Sequence, residues 1–227
     1  HYTTLAKTRV RVFKNSPSIF FKGQTIRMQN QNPIPEDFYF NFYEPIYDVT
    51  ARQIMNGISL VLSQQRNLKS IHIMFSSHGG NIEPAVTIYN FIKTLPLEIV
   101  MYSTGSIDSA ALIVFLAGAR RYAPPHSSFL MHGVTWSGLA PNIPLTRDAW
   151  SEQDIQWSNS EETLVSIVSE NTLLKDSEIK EFLKRGKILL PNLAREKGII
   201  NEIRELKIPT GTPVFPLVIP GQQSHAL

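Results

Sequence analysis

Between Phe38 and Met131, short apolar runs alternate with stretches in which apolar residues recur every three or four positions. The short runs are typical of buried strands and occupy residues 38–42, 71–75, 97–102 and 127–131. The longer stretches have the spacing of helices that pack one face on a core and occupy residues 50–64, 82–95 and 109–117. Strands that alternate with helices predict an α/β fold with a parallel sheet.

The pattern changes on both sides of this region. Residues 1–35 contain the polar run Gln29 to Asn32 and predict an N-terminal arm with a short strand or hairpin. Residues 145–174 predict one long helix of about 25 residues that projects or packs on a partner. Further helices are predicted at 176–185 and 191–197. We therefore expect an arm (1–35), a main domain (36–204) and a proline-rich C-terminal tail (205–227).

Composition excludes several classes of protein. The chain has 227 residues, of which 42% are hydrophobic, so it can bury a substantial core. It has no cysteine, which excludes disulfides, thiolate metal sites and a cysteine nucleophile. Its net charge of +3 comes from scattered residues. Without a basic stripe interleaved with aromatic residues, nucleic acid is not an expected partner.

The sequence also predicts no membrane span and no cofactor. No apolar run reaches the roughly 20 residues that a bilayer requires, and His1 to Thr4 lack the apolar core of a signal peptide, so a cytoplasmic location is expected. The six histidines include no pair with the spacing of a catalytic zinc site, and neither a P-loop nor a dinucleotide-binding glycine motif occurs. Any dependence on ATP would lie in a partner.

Three short motifs fall at the carboxyl ends of predicted strands, where parallel sheets place their ligands. They are Ser-Ser-His-Gly-Gly (76–80), Gly-Ser-Ile-Asp-Ser-Ala-Ala (105–111) and Phe-Leu-Met-His (129–132). Together they contain the parts of a nucleophilic hydrolase. Ser109 could attack a carbonyl, and His132 could accept and return its proton. The backbone amides of Gly80 and Ala110 could hold the oxyanion.

Each of these residues also has a purely structural interpretation. Ser109 could be a small residue at a tightly packed helix start, with Asp108 or Ser106 as its N-cap. His132 could be a hydrogen-bonded core histidine. A glycine pair after a strand is common in turns that lead into helices.

The combination and order of the motifs resemble the proteolytic subunit of the Clp protease, in the ClpP and crotonase superfamily. Ser77 to Gly80 resembles the Ser-Pro-Gly-Gly turn of that family. Gly105 to Ser109 resembles its Gly-x-x-x-Ser nucleophile turn, which precedes an apolar helix ending in Ala-Gly-Ala, here 117–119. Ser128 to His132 resembles the strand that ends in the family's histidine. The resemblance extends from about Phe38 to Ile203.

The resemblance implies a ClpP-like serine endopeptidase with a spiral of β-β-α units and a projecting handle helix at 145–174. It implies Ser109 as nucleophile, His132 as general base, and the amides of Gly80 and Ala110 as the oxyanion hole. It also implies a homo-oligomer of stacked rings, an enclosed chamber in which polypeptide substrates are cut, and an ATP-dependent unfoldase as partner.

One departure concerns the third member of the catalytic triad. Aligning 198–201 with the end of the family's next helix places Gly186 where the orienting aspartate is expected. A different carboxylate could take that role, the candidates being Asp176, Glu178 and Glu181. Ser109 and His132 could instead act as a dyad that uses water or a backbone carbonyl, or the chain could be a catalytically impaired ring subunit with a structural or peptide-binding role.

Two smaller departures are His78 in place of the family's proline and a shorter turn at 119–128. A crotonase-type acyl-CoA enzyme is a third functional hypothesis, because that family shares the fold and also holds an oxyanion with paired amides.

Overall fold

A computed structural model describes residues 18–21, 24–27, 36–65, 67–134 and 147–217. The described helices are α1 (Asp48–Gln64), α2 (Ile82–Lys93), α3 (Ala111–Leu116), α4 (Arg147–Asn171), α5 (Asp176–Arg185) and α6 (Pro191–Glu196). The described strands are β1 (Ser18–Phe21), β2 (Gln24–Arg27), β3 (Asp37–Tyr43), β4 (Ser70–Ser77), β5 (Glu98–Asp108), β6 (Arg120–Ala123), β7 (Ser128–Met131), β8 (Lys187–Leu189), β9 (Glu202–Ile203) and β10 (Val214–Pro216).

The main sheet has the strand order β10-β3-β4-β5-β6-β9, and every neighbouring pair in it is parallel. This confirms the α/β fold with a parallel sheet that the alternating pattern predicts. The second half of β5 leaves β6 and pairs with β7, which in turn pairs antiparallel with β8. β5 therefore belongs to two sheet regions, and the predicted nucleophile follows its second half.

An irregularity in β5 makes this change of partner possible. Between Phe75 and Ser77 on β4, the paired positions on β5 advance from Ser103 to Ile107, so β5 carries extra residues there. Gly105 lies in this bulge, where an added Cβ would come within 3.0 Å of the Ser76 hydroxyl oxygen. Such a bulge bends the strand and re-aims the residues that follow it.

The helices agree with the sequence pattern, with small differences at their ends. The long helix α4 has 25 residues, from Arg147 to Asn171, and residues 145–146, where the prediction begins, lie outside the described part. The helix α5 has the predicted bounds. The prediction that Ser109 begins a helix is wrong, because α3 begins at Ala111. The short strands β6, β8, β9 and β10 were not predicted; each has at most four residues and depends on its neighbours in the sheet.

The core is formed on the helical side of the sheet and surrounds α3, all six residues of which are buried. α4 has two different halves. Its C-terminal half buries Leu164, Val165, Ile167 and Val168 in the core. Its N-terminal half leaves Trp150 53% exposed and Ile155 57% exposed. Large apolar side chains exposed on one half of a helix have the character of an assembly surface.

The buried Arg121 joins the end of this helix to the rest of the domain. Its guanidinium donates hydrogen bonds to the carbonyl oxygens of Gly118 (3.0 Å), Asn171 (2.9 Å), Gly198 (3.0 Å) and Ile199 (2.8 Å). Asn171 is the last residue of α4, and carbonyls at a helix end favour a cation. Burial lowers the pKa of Arg121 from its ordinary value.

Stacked rings cover the other face of the sheet. Tyr39 stacks on His72, His72 on Tyr102, and Tyr102 packs against Tyr122, with centroid distances of 4.6, 5.8 and 5.2 Å. The Arg204 guanidinium lies 3.8 Å from the centre of the Tyr122 ring. This ladder fixes four adjacent strands side by side.

The predicted arm and tail contribute short strands. β1 and β2 form the expected hairpin within the arm, whereas Gln29 to Asn32 lie outside the described residues. From the tail, β10 pairs with β3, and Leu217 is buried against Gly57 of α1. The boundaries at 35 and 204 stay a prediction.

Candidate active site

Ser109 occupies a strained turn between β5 and α3. Among the described residues other than glycine, only Ser109 has a positive φ, of 56°. Its amide donates to the carbonyl oxygen of Leu130 at 2.8 Å, which continues the pairing of β5 with β7. Strain of this kind costs about 1–3 kcal/mol and clusters at functional sites. The turn therefore has the geometry of a displayed nucleophile, and this strain is not visible in the sequence.

The structure corrects the predicted capping of this turn. Asp108 and Ser106 both lie in β5, so neither caps a helix. The prediction that Ala110 lies in the first turn of a helix is also wrong. Ala110 occupies the N-cap position of α3, and no side chain caps this helix start.

The glycine turn packs directly against the Ser109 turn. An added Cβ on Gly79 would lie 2.7 Å from the Asp108 carbonyl oxygen and 2.9 Å from Cβ of Ser109. An added Cβ on Gly80 would lie 2.2 Å from the carbonyl oxygen of Ile46. Both glycines also have positive φ, of 90° and 148°. Glycine is therefore required at both positions for this close approach of backbones.

The amides predicted for the oxyanion hole have no acceptor within the described structure. Ile46 bridges this turn by donating to the Gly79 carbonyl (2.8 Å) and accepting from the Asn81 amide (2.9 Å). Between described residues, no hydrogen bond is donated by the amide of Gly80 or of Ala110. Two backbone amides on touching turns are thus available to an external acceptor.

His132 follows β7, the strand that anchors Ser109. The register pairs Asp108 with Leu130, so Ser109 and His132 lie just beyond the ends of adjacent strands. The half-buried imidazole has its Nδ1 2.8 Å from the carbonyl oxygen of Gly133. Because a carbonyl can only accept, Nδ1 carries the proton. In the neutral ring Nε2 is then unprotonated, which is the state a general base requires.

Gly186 lies opposite His132 across the strand pair. β7 and β8 pair antiparallel with Met131 opposite Lys187, and the next positions along are His132 and Gly186. Gly186 has a φ of 70°, and apart from its two chain neighbours an added Cβ there would meet no atom of the described residues within 4 Å. Open space thus lies at the position that the alignment assigns to the missing aspartate.

The alternative carboxylates are not paired with His132. Glu178 pairs with Lys197 at 2.7 Å, and Glu181 with Arg185 at 3.5 Å. Among the described residues, no Asp or Glu, Asp176 included, forms an ion pair or hydrogen bond with His132. In this structure the orienting partner of its imidazole is the Gly133 carbonyl.

A second histidine and an aspartate lie beside the nucleophile turn. His78 Nδ1 is 2.9 Å from Asp108 Oδ2, although the residues are 30 positions apart. The His78 side chain is 72% exposed, whereas that of Asp108 is only 15% exposed. Sequence reasoning singled out both residues and did not pair them. The signal that could have paired them is that each lies inside one of the proposed site motifs, within two residues of a predicted oxyanion amide.

Within the described ranges, no group of histidine, aspartate and glutamate side chains has the arrangement of a metal site. No helix among the described segments is both long and apolar enough to cross a bilayer.

Comparison with known proteins gives a consistent result. The sequence model of the Clp protease family matches residues 24–207. Among curated proteins, the chain is 24% identical over 152 residues to the ATP-dependent Clp protease proteolytic subunit 2 of Corynebacterium diphtheriae, covering 64% of this chain and 72% of the relative. It is 23% identical over 187 residues to the proteolytic subunit of Cyanophora paradoxa, covering 80% and 92%.

Among solved structures, the fold is similar to a point mutant of ClpP1 from Listeria monocytogenes, with a TM-score of 0.62 and 23% identity. The match covers 74% of this chain and 92% of the other. This likeness supports the predicted ClpP-like arrangement of strands and helices.

Proposed function

The chain belongs to the Clp protease family and is a ClpP-like serine peptidase subunit, and on that premise we propose that Ser109 is its nucleophile and His132 its general base. The observation that carries the proposal is the strained Ser109 turn, packed against Gly79 and hydrogen-bonded to β7, the strand that directly precedes His132. The alternative of an impaired subunit is not favoured, since the relatives reported above are named as proteolytic subunits.

Peptide hydrolysis at this site proceeds by acyl transfer. Ser109 Oγ attacks the scissile carbonyl carbon while His132 Nε2 takes its proton. The oxyanion that forms accepts hydrogen bonds from the amides of Gly80 and Ala110. As the carbon–nitrogen bond breaks, the leaving amine takes the proton from His132. Water then attacks the acyl-enzyme with His132 again as base, which releases the acid and restores Ser109.

The Gly133 carbonyl takes the place of a triad carboxylate in orienting His132. It fixes the proton on Nδ1 and accepts a stronger hydrogen bond when the ring becomes an imidazolium. The C-terminal end of α5 lies next to it, because an added Cβ on Gly133 would be 3.4 Å from the carbonyl oxygen of Leu183. A helix C-terminus favours a nearby cation by about 0.3–1 kcal/mol. A Ser-His dyad is therefore the mechanism that these contacts support.

Oligomeric assembly and a partner are part of the same proposal. The large apolar side chains exposed on the N-terminal half of α4, those of Trp150, Ile155 and Trp157, support a second copy of the chain as the partner of this helix. The relatives are named as subunits of an ATP-dependent protease, which supports an ATP-driven unfoldase that delivers polypeptide substrates.

Covalent labelling tests the proposed function. We expect a fluorophosphonate probe to modify the assembled protein at Ser109, located by peptide mapping, because the probe reports an activated serine. His132→Ala should slow labelling by about 100-fold or more, since no base then accepts the proton. His126→Ala, on an exposed turn, is the matched control and should label at the parent rate. Modification of another serine, or labelling that is insensitive to His132, would reject the assignment.

A carboxylate at position 186 tests the dyad. Gly186→Asp places an acidic group in open space opposite His132, and we expect peptidase kcat to rise by about 10- to 100-fold, part of the roughly 10,000-fold that a triad aspartate supplies. Gly186→Asn is the control, because asparagine must adopt the same positive φ as aspartate at this position but carries no charge. Both variants should lose similar stability. Equal kcat values for the two variants would show that His132 gains nothing from a carboxylate there.

A further inference from the structure

The two proposed oxyanion amides belong to different turns, so their separation depends on what holds the turns together. Gly80 follows β4, and Ala110 follows β5. The pairing of these strands ends at Ser77 and Ile107, before either amide is reached. Beyond that point the turns touch by van der Waals contact, at the close approach of Gly79 to Asp108 and Ser109. Contact of this kind prevents further approach and does little to prevent separation.

One hydrogen bond crosses this gap. Within the described structure, the contact of His78 Nδ1 with Asp108 Oδ2, at 2.9 Å, is the only hydrogen bond between residues 78–81 and residues 108–111. His78 directly precedes the glycine pair, and Asp108 directly precedes Ser109. The bond therefore joins the two turns two residues before Gly80 and one residue before Ser109.

The burial of the two partners fits a positioning role. The Asp108 side chain is 15% exposed, so it has less room to move than an exposed carboxylate. The His78 side chain is 72% exposed, so the pair adds little to global stability. Its effect is on the geometry of the turns it joins. A proline, which the resemblance places at this position, has no side-chain donor for such a bond.

From this arrangement we infer that His78 and Asp108 form a clasp that positions the Gly80 and Ala110 amides for the oxyanion, with His78 as a positioning residue for peptide hydrolysis. The inference rests on the proposed function of the site. Oxyanion donors act by preorganisation, and removal of one donor costs about 100- to 1,000-fold in kcat. Loosening two donors without removing either should cost less, about 10-fold in kcat. The ground-state peptide uses the oxyanion hole only weakly, so KM should change little.

The experiment measures kcat and KM for hydrolysis of a short fluorogenic peptide by the assembled parent protein and by its variants. His78→Ala and Asp108→Ala should each lower kcat by about 10-fold with KM within about twofold of the parent. The double variant should be no worse than the poorer single variant, because either change breaks the same bond. His78→Asn should recover most of kcat, since its amide nitrogen replaces Nδ1 as the donor to Asp108. His126→Ala is the control for loss of an exposed histidine.

The outcomes separate the clasp from the proposed function. An inactive parent that is not labelled at Ser109 would reject the proposed function. An active parent whose kcat is unchanged in His78→Ala would reject the clasp alone. Additive losses in the double variant, no recovery with His78→Asn, or a loss of kcat that follows a loss of thermal stability would also reject the clasp, because each shows that the residues act separately or only through folding.

Discussion

Ser109→Ala should lower peptidase kcat by about 10,000-fold or more while the oligomer assembles as in the parent. Removal of the nucleophile in a serine protease leaves only the rate that oxyanion donors and substrate binding supply. The measurement is turnover of a fluorogenic peptide by matched preparations of parent and variant, with size-exclusion chromatography as the check on assembly. Retention of more than about a tenth of the parent kcat would mean that another group forms the acyl-enzyme.

The backbone at Ser109 gives this prediction a second, independent readout. Because φ is 56° there, Ser109→Gly removes both the nucleophile and the strain, whereas Ser109→Ala keeps the strain. We expect both variants to be inactive and the glycine variant to be more stable than the alanine variant by about 1 kcal/mol. Equal stabilities in thermal unfolding would argue against a strained nucleophile turn.

Arg121→Met should destabilise the domain by about 3–5 kcal/mol, because buried backbone carbonyls lose hydrogen bonds from a charged donor, and each such bond contributes about 1.5–3 kcal/mol before the structure relaxes. Methionine retains the volume of the stem and leaves the carbonyl oxygens of Gly118, Asn171, Gly198 and Ile199 without their donor. The matched control is Arg120→Met. Arg120 is the adjacent residue, and its ion pair with Glu98 lies at the surface. That pair should contribute less than about 1 kcal/mol.

Thermal unfolding of the two arginine variants provides the comparison, and hydrogen exchange locates the effect. In Arg121→Met the loss of protection against hydrogen exchange should be greatest around residues 168–173, at the end of α4, and around residues 197–201, directly after α6. If both variants unfold at the same temperature as the parent, Arg121 does not hold the end of α4 in place.

The comparison of pattern and structure shows why some elements could be predicted. α5 extends over the predicted residues because its apolar spacing and its acidic start and basic end are all local signals. β8 and β10 have three residues each and no such signal. They are strands because β7 and β3 offer free edges at those places, a condition that only the folded chain provides.

Short motifs and local periodicity in the sequence identify the family, the order of the longer strands and helices, and the candidates Ser109, His132, Gly80 and Ala110. Tertiary structure decided three other features: the positive φ of Ser109, the hydrogen bond from His132 to Gly133, and the contact of His78 with Asp108. The first follows from a bulged strand that changes sheet partners, and the last joins residues 30 positions apart. No local pattern encodes the strained Ser109 turn or the contact of His78 with Asp108, since both depend on where the sheet brings distant segments of the chain together.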